Sequence, residues 1–316
     1  MASTSATEAQ RAEREREPGR GRGRDAAGAG AASTACYSVR AMRDPREVPD
    51  AFYVPEGARF VATGHTRGPW SAGHQHAGPP SALLARSIER AMADDPALRV
   101  MRLAVELMAP VPIATIEVAT TVLRAGRKVR RVEAVLTADG RSVARAAGLA
   151  IRTEAVPVPP VRPDLHEMPA PPEGGTPWTF PVFQGGSARG GYIAAVDARC
   201  VRGGVGENPT TVWIRSRVAL VAGESPSPLQ RVMIAADSGN GIAIVLDPER
   251  FTFVNADLTV HLHRLPVDEW VCLEAITAPE PDGIGLTRSR LFDRRGSIGY
   301  GLQTLVVEAR RRETSG

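Results

Sequence analysis

Cysteine and long apolar runs are scarce in this sequence. The three cysteines, Cys36, Cys200 and Cys272, are odd in number and lack C-x-x-C spacing, which argues against a disulfide framework and a zinc ribbon. No run approaches the ~20 apolar residues that a membrane-spanning helix needs. The first residues contain neither the apolar segment of a secretory signal nor the acid-poor composition of a transit peptide. We therefore expect a cytoplasmic protein with no membrane partner.

A basic patch is also missing, although the formal net charge is +4. The 39 basic residues are balanced by 35 acidic ones spread along the chain, and Lys128 is the only lysine. This balance is typical of a solvated surface rather than of a polyanion-binding face. We expect no nucleic-acid partner.

A nucleophile elbow is a third absence. Ser187 and Ser297 lie near glycines, but neither has the G-x-S-x-G spacing. This argues against an α/β-hydrolase with a covalent serine nucleophile.

Composition divides the chain of 316 residues into four stretches. Residues 1–45 have almost no large apolar side chain and are predicted to be a disordered tail. Residues 154–178 are rich in proline, which removes backbone donors, and are predicted to be a linker. The remaining segments, 46–153 (the first half) and 179–316 (the second half), are of similar size and are predicted to be two domains.

Both halves show one helix followed by alternating strands. In the first half, "GPPSALLARSIERAMADDP" has prolines at a helix start and an apolar stripe at helical spacing, and four alternating runs follow it. In the second half, "SPSPLQRVMIAADSGNG" is again followed by four such runs, beginning at "DLTVHLHRLPV". The order of elements predicts an internal duplication of a helix-plus-antiparallel-sheet unit.

A duplicated helix wrapped by an antiparallel sheet resembles the double hotdog, an α+β fold. The stretches "FVNADLTVHLHRLPVDEW" and "GIGLTRSRLFDRRGSIGYGLQTLVVEAR" resemble the C-terminal half of the type II (TesB-like) acyl-CoA thioesterases. "GPWSAGHQHAGPPSALLARSIER" leading into "LMAPVP" resembles the N-terminal hotdog of the same family. The resemblance covers about residues 46–311.

The resemblance implies a water-activating set of an Asp, a Thr or Ser and a Gln, all in the second half. By motif, the Asp is Asp257 and the Gln is Gln303. The hydroxyl position falls on Ala278 in a gapless register, and a one-residue bulge would bring Thr277 into its place.

The duplication provides a test that is independent of the family. Asp257 aligns with Arg102 of the first half, and Gln303 aligns with Gly148 or its neighbour Ala147. An acid that the fold itself needs should recur in both copies, so this asymmetry favours a functional role. A carboxylate can take a proton from water while an amide fixes the orientation of that water.

Other residues are assigned to substrate binding. Backbone N–H groups near Gly78, with His76 beside them, are predicted to bind the substrate carbonyl as an oxyanion hole, with close packing as the alternative role of Gly78. A basic cluster that includes Arg127, Lys128 and Arg130 is a hypothetical site for the CoA phosphates, although charges guarding an exposed sheet edge explain it equally.

Two histidines, His261 and His263, share one face of the predicted strand that Asp257 begins. They could meet at a metal, but no further ligand pattern accompanies them, so a polar strand face is the preferred interpretation. We expect neither a metal nor a cofactor.

The predicted function is hydrolysis of acyl-CoA or acyl-carrier-protein thioesters by a homo-oligomeric enzyme. One alternative is a hotdog hydratase or dehydratase, although Asp257 lacks the Asn-Pro that follows the acid in the motif of those enzymes. The other alternative is a non-catalytic acyl-thioester-binding protein.

Overall fold

The computed structural model describes residues 50–159, 167–180 and 190–310. The predicted tail, residues 1–45, lies outside the described residues. None of the helices in the described ranges has the length and hydrophobicity needed to cross a bilayer.

Four helices and fifteen strands make up the described chain. The helices are α1 (Gly78–Arg90), α2 (Tyr192–Ala195), α3 (Pro228–Ala236) and α4 (Gly239–Ile242). The strands of the first half are β1 (Ala51–Glu56), β2 (Arg59–Ala62), β3 (Leu98–Leu107), β4 (Thr115–Ala125), β5 (Val129–Ala138) and β6 (Arg141–Arg152). The remaining strands are β7 (Thr176–Pro177), β8 (Val196–Arg202), β9 (Thr210–Ser216), β10 (Ala219–Val221), β11 (Phe251–Asn255), β12 (Asp257–Leu262), β13 (Val271–Pro279), β14 (Ile284–Asp293) and β15 (Gly296–Ala309).

The strands form one continuous sheet with the same order in each half. The first half runs β1-β2-β4-β5-β6-β3 and the second runs β12-β15-β14-β13-β9-β8, joined by antiparallel pairing of β3 with β12. β1, β2, α1 and β3 to β6 therefore correspond to β8, β9, α3 and β12 to β15. This shared order is the duplication predicted from the sequence.

The two long helices have proline in their first turn and pack against each other inside the sheet. Proline suits the first turn of a helix because its missing N–H has no partner there and its φ is already helical. Ser227 caps α3, since its hydroxyl accepts a hydrogen bond from the N–H of Gln230 at 3.2 Å. Leu83, Leu84 and Ile88 of α1 are fully buried in the common core.

Both helices are shorter than their sequence patterns suggest. α1 ends at Arg90, and residues 91–94 form turns before Asp95 and Pro96. α3 ends at Ala236, and the chain turns through Asp237 before α4 begins at Gly239. That turn places a carboxylate at the end of a buried helix.

The proline-rich stretch 154–178 is not irregular throughout its described part. Thr176 and Pro177 form β7, which pairs with the edge of β8. Proline is tolerated there because an edge strand does not need every backbone donor.

Candidate active site

A cavity of about 400 Å³ lies where the two halves meet. The first half supplies its walls from residues 68–71, 74–77 and 107–111. The second half supplies Asp237, Asn240, Gly241, residues 253–256 and Val306. Most of the lining is apolar, with a few polar groups converging on one side, which is the usual composition of a small-molecule site.

Asp237 is the buried acid of this cavity. It is 3% exposed, and its position directly after α3 places it beside the carbonyl end of that helix, where a negative charge is unfavourable. Three donors compensate for this position. His76 Nδ1 lies 3.0 Å from Oδ2, the side chain of Asn255 donates to Oδ1 at 2.8 Å, and the N–H of Gly78 at the start of α1 also donates to the carboxylate.

These donors keep Asp237 ionised. Burial alone would raise the pKa of the carboxyl. The charge and hydrogen bond of His76, together with the hydrogen bonds from Asn255 and Gly78, outweigh burial and hold the pKa of Asp237 below its usual value. The cavity therefore contains a buried carboxylate that His76, Asn255 and Gly78 hold in its anionic form.

The ring of His76 is held rigidly. It stacks on Tyr192 with ring centroids 3.7 Å apart and an angle of 3° between the planes. The hydroxyl of Tyr192 donates to the carbonyl of Ile234 at 2.7 Å and lies 2.8 Å from the hydroxyl of Ser238, so it is anchored next to Asp237. Burial raises the pKa of Tyr192, which keeps the phenol neutral.

Gln303 supports the turn that carries Asp237. Its Nε2 donates to the backbone carbonyl of Asp237 at 2.9 Å, and its Oε1 accepts from the N–H of Asn240 at 3.0 Å. The side-chain amide of Asn240 in turn donates to the carbonyl of Phe253 at 2.8 Å. The fit is close, because a Cβ on Gly239 would lie 2.6 Å from Oε1 of Gln303.

The corresponding place in the first half is apolar. In the second half, Gln303 pairs across the sheet with Thr287, which pairs with Thr277. In the first half, the equivalent row is Gly148, Val132 and Val122. A Cβ on Gly148 would lie 2.8 Å from Ile88 of α1. The first half thus uses for helix packing the place where the second half holds its polar turn.

Two family models match the chain. One, described as the acyl-CoA thioesterase N-terminal domain, matches residues 66–152, and the other, the acyl-CoA thioesterase C-terminal domain, matches residues 163–307. The chain belongs to the acyl-CoA thioesterase family. It is a thioester hydrolase, and the predicted enzyme class is confirmed.

Solved structures confirm the double hotdog fold of this thioesterase. A TesB protein of Mycobacterium avium subsp. paratuberculosis is 16% identical, with 79% of this chain and 92% of that chain covered and a TM-score of 0.59. Acyl-CoA thioesterase II of Mycobacterium marinum is 15% identical, with 83% and 95% covered and a TM-score of 0.58. A hotdog protein of Alicyclobacillus acidocaldarius is 16% identical, with 83% and 97% covered and a TM-score of 0.58. A comparison with curated proteins gives no match.

The structure does not bring Asp257 and Gln303 together. The residues of β12 that share a face with Asp257 pair with outward-facing residues of β15. Oδ1 of Asp257 accepts a hydrogen bond from the backbone N–H of Thr304 at 2.6 Å. Gln303 is 1% exposed and faces inward. Neighbouring residues of a strand point to opposite faces, so Thr304 faces away from Gln303. Asp257, which contacts Thr304, therefore lies on the face of the sheet opposite to Gln303. The acid that lines the cavity is Asp237, not Asp257.

Thr277 is buried on the same face as Gln303 but two strands away. Its hydroxyl lies 2.8 Å from that of Thr287, which separates it from Gln303. Two strand spacings amount to roughly 10 Å. The predicted hydroxyl therefore does not reach the cavity, and the side chain that contacts Asp237 in its stead is Asn255.

Gly78 lies at the site, but its N–H already donates to Nδ1 of His76 at 3.1 Å and also interacts with the Asp237 carboxylate. A Cβ at Gly78 would lie 2.6 Å from the carbonyl oxygen of Ile234, so the glycine also permits the close contact of α1 with α3. The N–H of Gly78 is thus occupied by His76 and Asp237, and the missing side chain allows α1 to approach α3.

We expect Gly78→Ala to lower both the stability and the activity of the thioesterase. The added methyl group must push α1 away from α3 and displace His76, at a cost of about 1–3 kcal/mol. Urea unfolding and thiol release from acyl-CoA measure the two effects. Gly174→Ala is the matched control, because a Cβ there meets nothing within 4 Å. Equal behaviour of the two variants would contradict the packing role.

The basic cluster lies far from the cavity. Arg130 pairs with Asp94, and the backbone carbonyl of Lys128 accepts from Arg152, which pairs with the first residue of β3. Leu107, the last residue of β3, lines the cavity, and the ten residues of this strand span about 30 Å. Arg127, Lys128 and Arg130 are therefore at the wrong end of the sheet to hold the phosphates of a substrate in this cavity.

His261 and His263 are both exposed, His261 on the outer face of β12 and His263 directly after that strand. Within the described residues, no group of three or more His, Cys, Asp or Glu side chains lies close enough to hold a metal ion.

The sequence analysis missed Asp237, Asn240 and Asn255. Asp237 continues the buried stripe of α3 four residues after Met233, and an acid at such a position is costly unless it has partners. That conflict was the available signal for Asp237. Asn255 interrupts the apolar start of "FVNAD" and gives a weaker signal of the same kind.

Proposed function

We propose that this enzyme hydrolyses acyl-CoA thioesters in the cavity around Asp237. The observation that carries the proposal is a buried, ionised carboxylate that adjoins an imidazole and faces an apolar cavity. General-base activation of water needs this combination, because a charged partner fixes the base and an apolar wall excludes competing water. The acyl group lies against the apolar lining, and its carbonyl is placed at the polar side.

The supporting residues have distinct proposed roles. Asn255 and the N–H of Gly78 hold the carboxylate of Asp237, and Gln303 holds the backbone turn on which that carboxylate is mounted. Ala77 lines the cavity, and its N–H makes no hydrogen bond to a described residue. Pro79 and Pro80 have no N–H, so Ala77 is the donor that we assign to the developing oxyanion.

The size of the cavity suggests a substrate range. Since one water occupies about 30 Å³ in the liquid, a cavity of this size holds on the order of ten non-hydrogen atoms. We therefore expect acyl chains of roughly ten carbons or fewer to be preferred, with the nucleotide part of CoA outside the cavity.

A panel of acyl-CoAs from acetyl to palmitoyl, followed by thiol release, tests the proposed function. We expect kcat/KM to be highest for chains that fit the cavity and at least ~10-fold lower for palmitoyl-CoA. Enoyl absorbance recorded in parallel detects hydratase chemistry. Absence of thiol release from the whole panel, or an enoyl signal without it, would contradict the proposed function.

Acyl-carrier-protein thioesters, a cytoplasmic location and self-association remain expectations from the sequence. Thiol release from acyl-carrier protein, fractionation of cells and light scattering measure them in turn. None of the roles assigned above depends on their outcome.

A further inference from the structure

We infer that Arg250 and Arg310, beside the cavity, bind the diphosphate of coenzyme A. This inference rests on the proposed function and deepens it, because it assigns residues to the part of the substrate that lies outside the cavity. The basic cluster of Arg127, Lys128 and Arg130 does not reach that part, so the phosphates need other cations.

An aromatic wall of the cavity leads to the two arginines. Trp70 and Phe253 both line the cavity, with ring centroids 5.2 Å apart and ring planes at 90°. The guanidinium of Arg310 lies over the Trp70 ring, 5.9 Å from its centroid. Arg250 comes directly before β11 and Arg310 directly after β15, and the backbone N–H of Arg310 donates to the carbonyl of Arg250 at 2.8 Å. The two arginines are therefore neighbours at the edge of the cavity.

Neither guanidinium has an acidic partner. Among the residues that the structure describes, no carboxylate forms an ion pair with Arg250 or Arg310. Glu249 and Glu308 are exposed and close in sequence, but they pair with neither. Nε of Arg310 donates to the carbonyl of Pro248 at 2.8 Å, while its terminal amino groups make no hydrogen bond to a described residue. A guanidinium held in this way is suited to a phosphate, which it can bind through two parallel hydrogen bonds.

The distance from the polar side of the cavity to the arginines matches the pantetheine arm of CoA. Asn255, the last residue of β11, donates to Asp237, and Arg250 precedes the first residue of the same strand. The five residues of β11 span about 17 Å. The arm has about thirteen bonds between the sulfur and the first phosphorus, so its extended length is roughly 15 Å when scaled from an extended peptide. A thioester at Asp237 thus places its diphosphate near Arg250 and Arg310.

The cavity is open along this route. Val254 of β11 and Val306 of β15 pair with each other and line the cavity, yet they are 37% and 44% exposed. Large apolar side chains at a cavity rim are suited to cover by a ligand that is apolar in part. The methylene and methyl groups of a pantetheine arm provide such a cover between the thioester and the diphosphate.

Contacts to the phosphates are expected to act on binding rather than on chemistry. The phosphates are remote from the carbon that reacts, so Arg250 and Arg310 hold the ground state and the transition state equally. Losing such contacts raises KM with little change in kcat. Because the arginines are near the surface, added salt is expected to weaken them. An acyl-pantetheine has the same acyl group and arm without phosphates, and therefore isolates this contribution.

The double variant Arg250→Gln/Arg310→Gln tests the inference by thiol release from octanoyl-CoA and octanoyl-pantetheine. We expect the ratio of kcat/KM for octanoyl-CoA to that for octanoyl-pantetheine to fall by about tenfold, through KM, the scale of losing charge-assisted hydrogen bonds. The rise in KM for octanoyl-CoA with added salt should flatten in the same variant. Replacing both arginines with Lys keeps the charges and should restore part of the ratio. Arg127→Gln is the matched control and should keep the wild-type ratio.

The outcomes separate this inference from the proposed function. A folded double variant whose ratio stays within about twofold of the wild type would overturn the role of the arginines. Wild-type inactivity on both thioesters would overturn the proposed function instead. Should the double variant fold poorly in urea unfolding, Arg250→Gln alone decides, because its side chain is exposed and makes no hydrogen bond to a described residue. An unchanged ratio and an unchanged salt dependence in that variant would count against the site.

Discussion

Asp237→Asn is expected to lower kcat/KM for acyl-CoA hydrolysis by about 10³-fold, the scale typical of losing an acid–base group or its orienting carboxylate. The amide cannot offer an acceptor to both His76 and Asn255 without turning an N–H towards one of these donors. The negative charge that fixes the imidazole is lost as well. Thiol release under kcat/KM conditions measures the effect, and urea unfolding verifies that the fold survives.

Asp257→Asn is the matched control because it makes the same chemical change on the opposite face of the sheet. Asp257 accepts from the N–H of Thr304, and an amide oxygen can accept that bond equally well. We expect its activity to stay within about threefold of the wild type. A loss confined to Asp257→Asn would place the reaction on the outer face and contradict the cavity as the site.

Most of the fold was predictable because it rests on local patterns. The runs predicted to be strands between "RLAVELMAPVP" and "SVARAAGLAIR" correspond to β3 to β6, and those of the second half correspond to β12 to β15. Alternating burial and turn residues encode such strands directly. The strands that precede each long helix, β1, β2, β8 and β9, were not assigned, although β1 pairs with its sequence neighbour β2 and β8 with its sequence neighbour β9.

The site was predicted only in part, since it depends on which side chains meet across the two halves. Gln303 and His76 were predicted as site residues, and both contact Asp237 in the structure, although these contacts could not be derived from the sequence. Asp257 was assigned to the site by its motif position, whereas its strand face places it outside the cavity. The alternation that puts Leu258 and Val260 in the core puts Asp257 outside, so the sequence contained the information needed to reject it.

The two halves place one acid each near the end of a long helix, but in different surroundings. Glu89, near the end of α1, accepts hydrogen bonds from Ser227 and Gln230 at the start of α3. In the same way, Asp237, directly after α3, accepts from the N–H of Gly78 at the start of α1. Burial raises the pKa of Glu89, whereas the pKa of Asp237 is lowered. Glu89 lies in an open cleft among charged side chains, and only Asp237 adjoins an imidazole and an apolar cavity.

The second large effect concerns stability. Asp293, at the end of β14, is fully buried. Its carboxylate accepts hydrogen bonds from both terminal amino groups of the Arg264 guanidinium, at 2.5 and 2.6 Å. The backbone N–H groups of Val267 and Arg295 donate to the same carboxylate. We expect Asp293→Asn to lower the free energy of unfolding at pH 7 by roughly 3 kcal/mol, because the guanidinium loses its charged partner. Urea unfolding measures this loss.

The pH dependence of the loss gives a stricter test. Burial raises the pKa of Asp293, but Arg264 and the two backbone donors outweigh burial and bring the pKa below its usual value. A carboxyl with a lowered folded-state pKa stabilises the fold above its unfolded pKa of about 3.9, and this contribution disappears as the pH falls through the folded pKa. The difference between wild type and Asp293→Asn should therefore shrink below about pH 4. Glu106→Gln, which breaks the exposed pair with Arg145, should change stability far less at either pH. A difference for Asp293→Asn that is the same at pH 7 and pH 3 would show that the ion pair does not stabilise the fold.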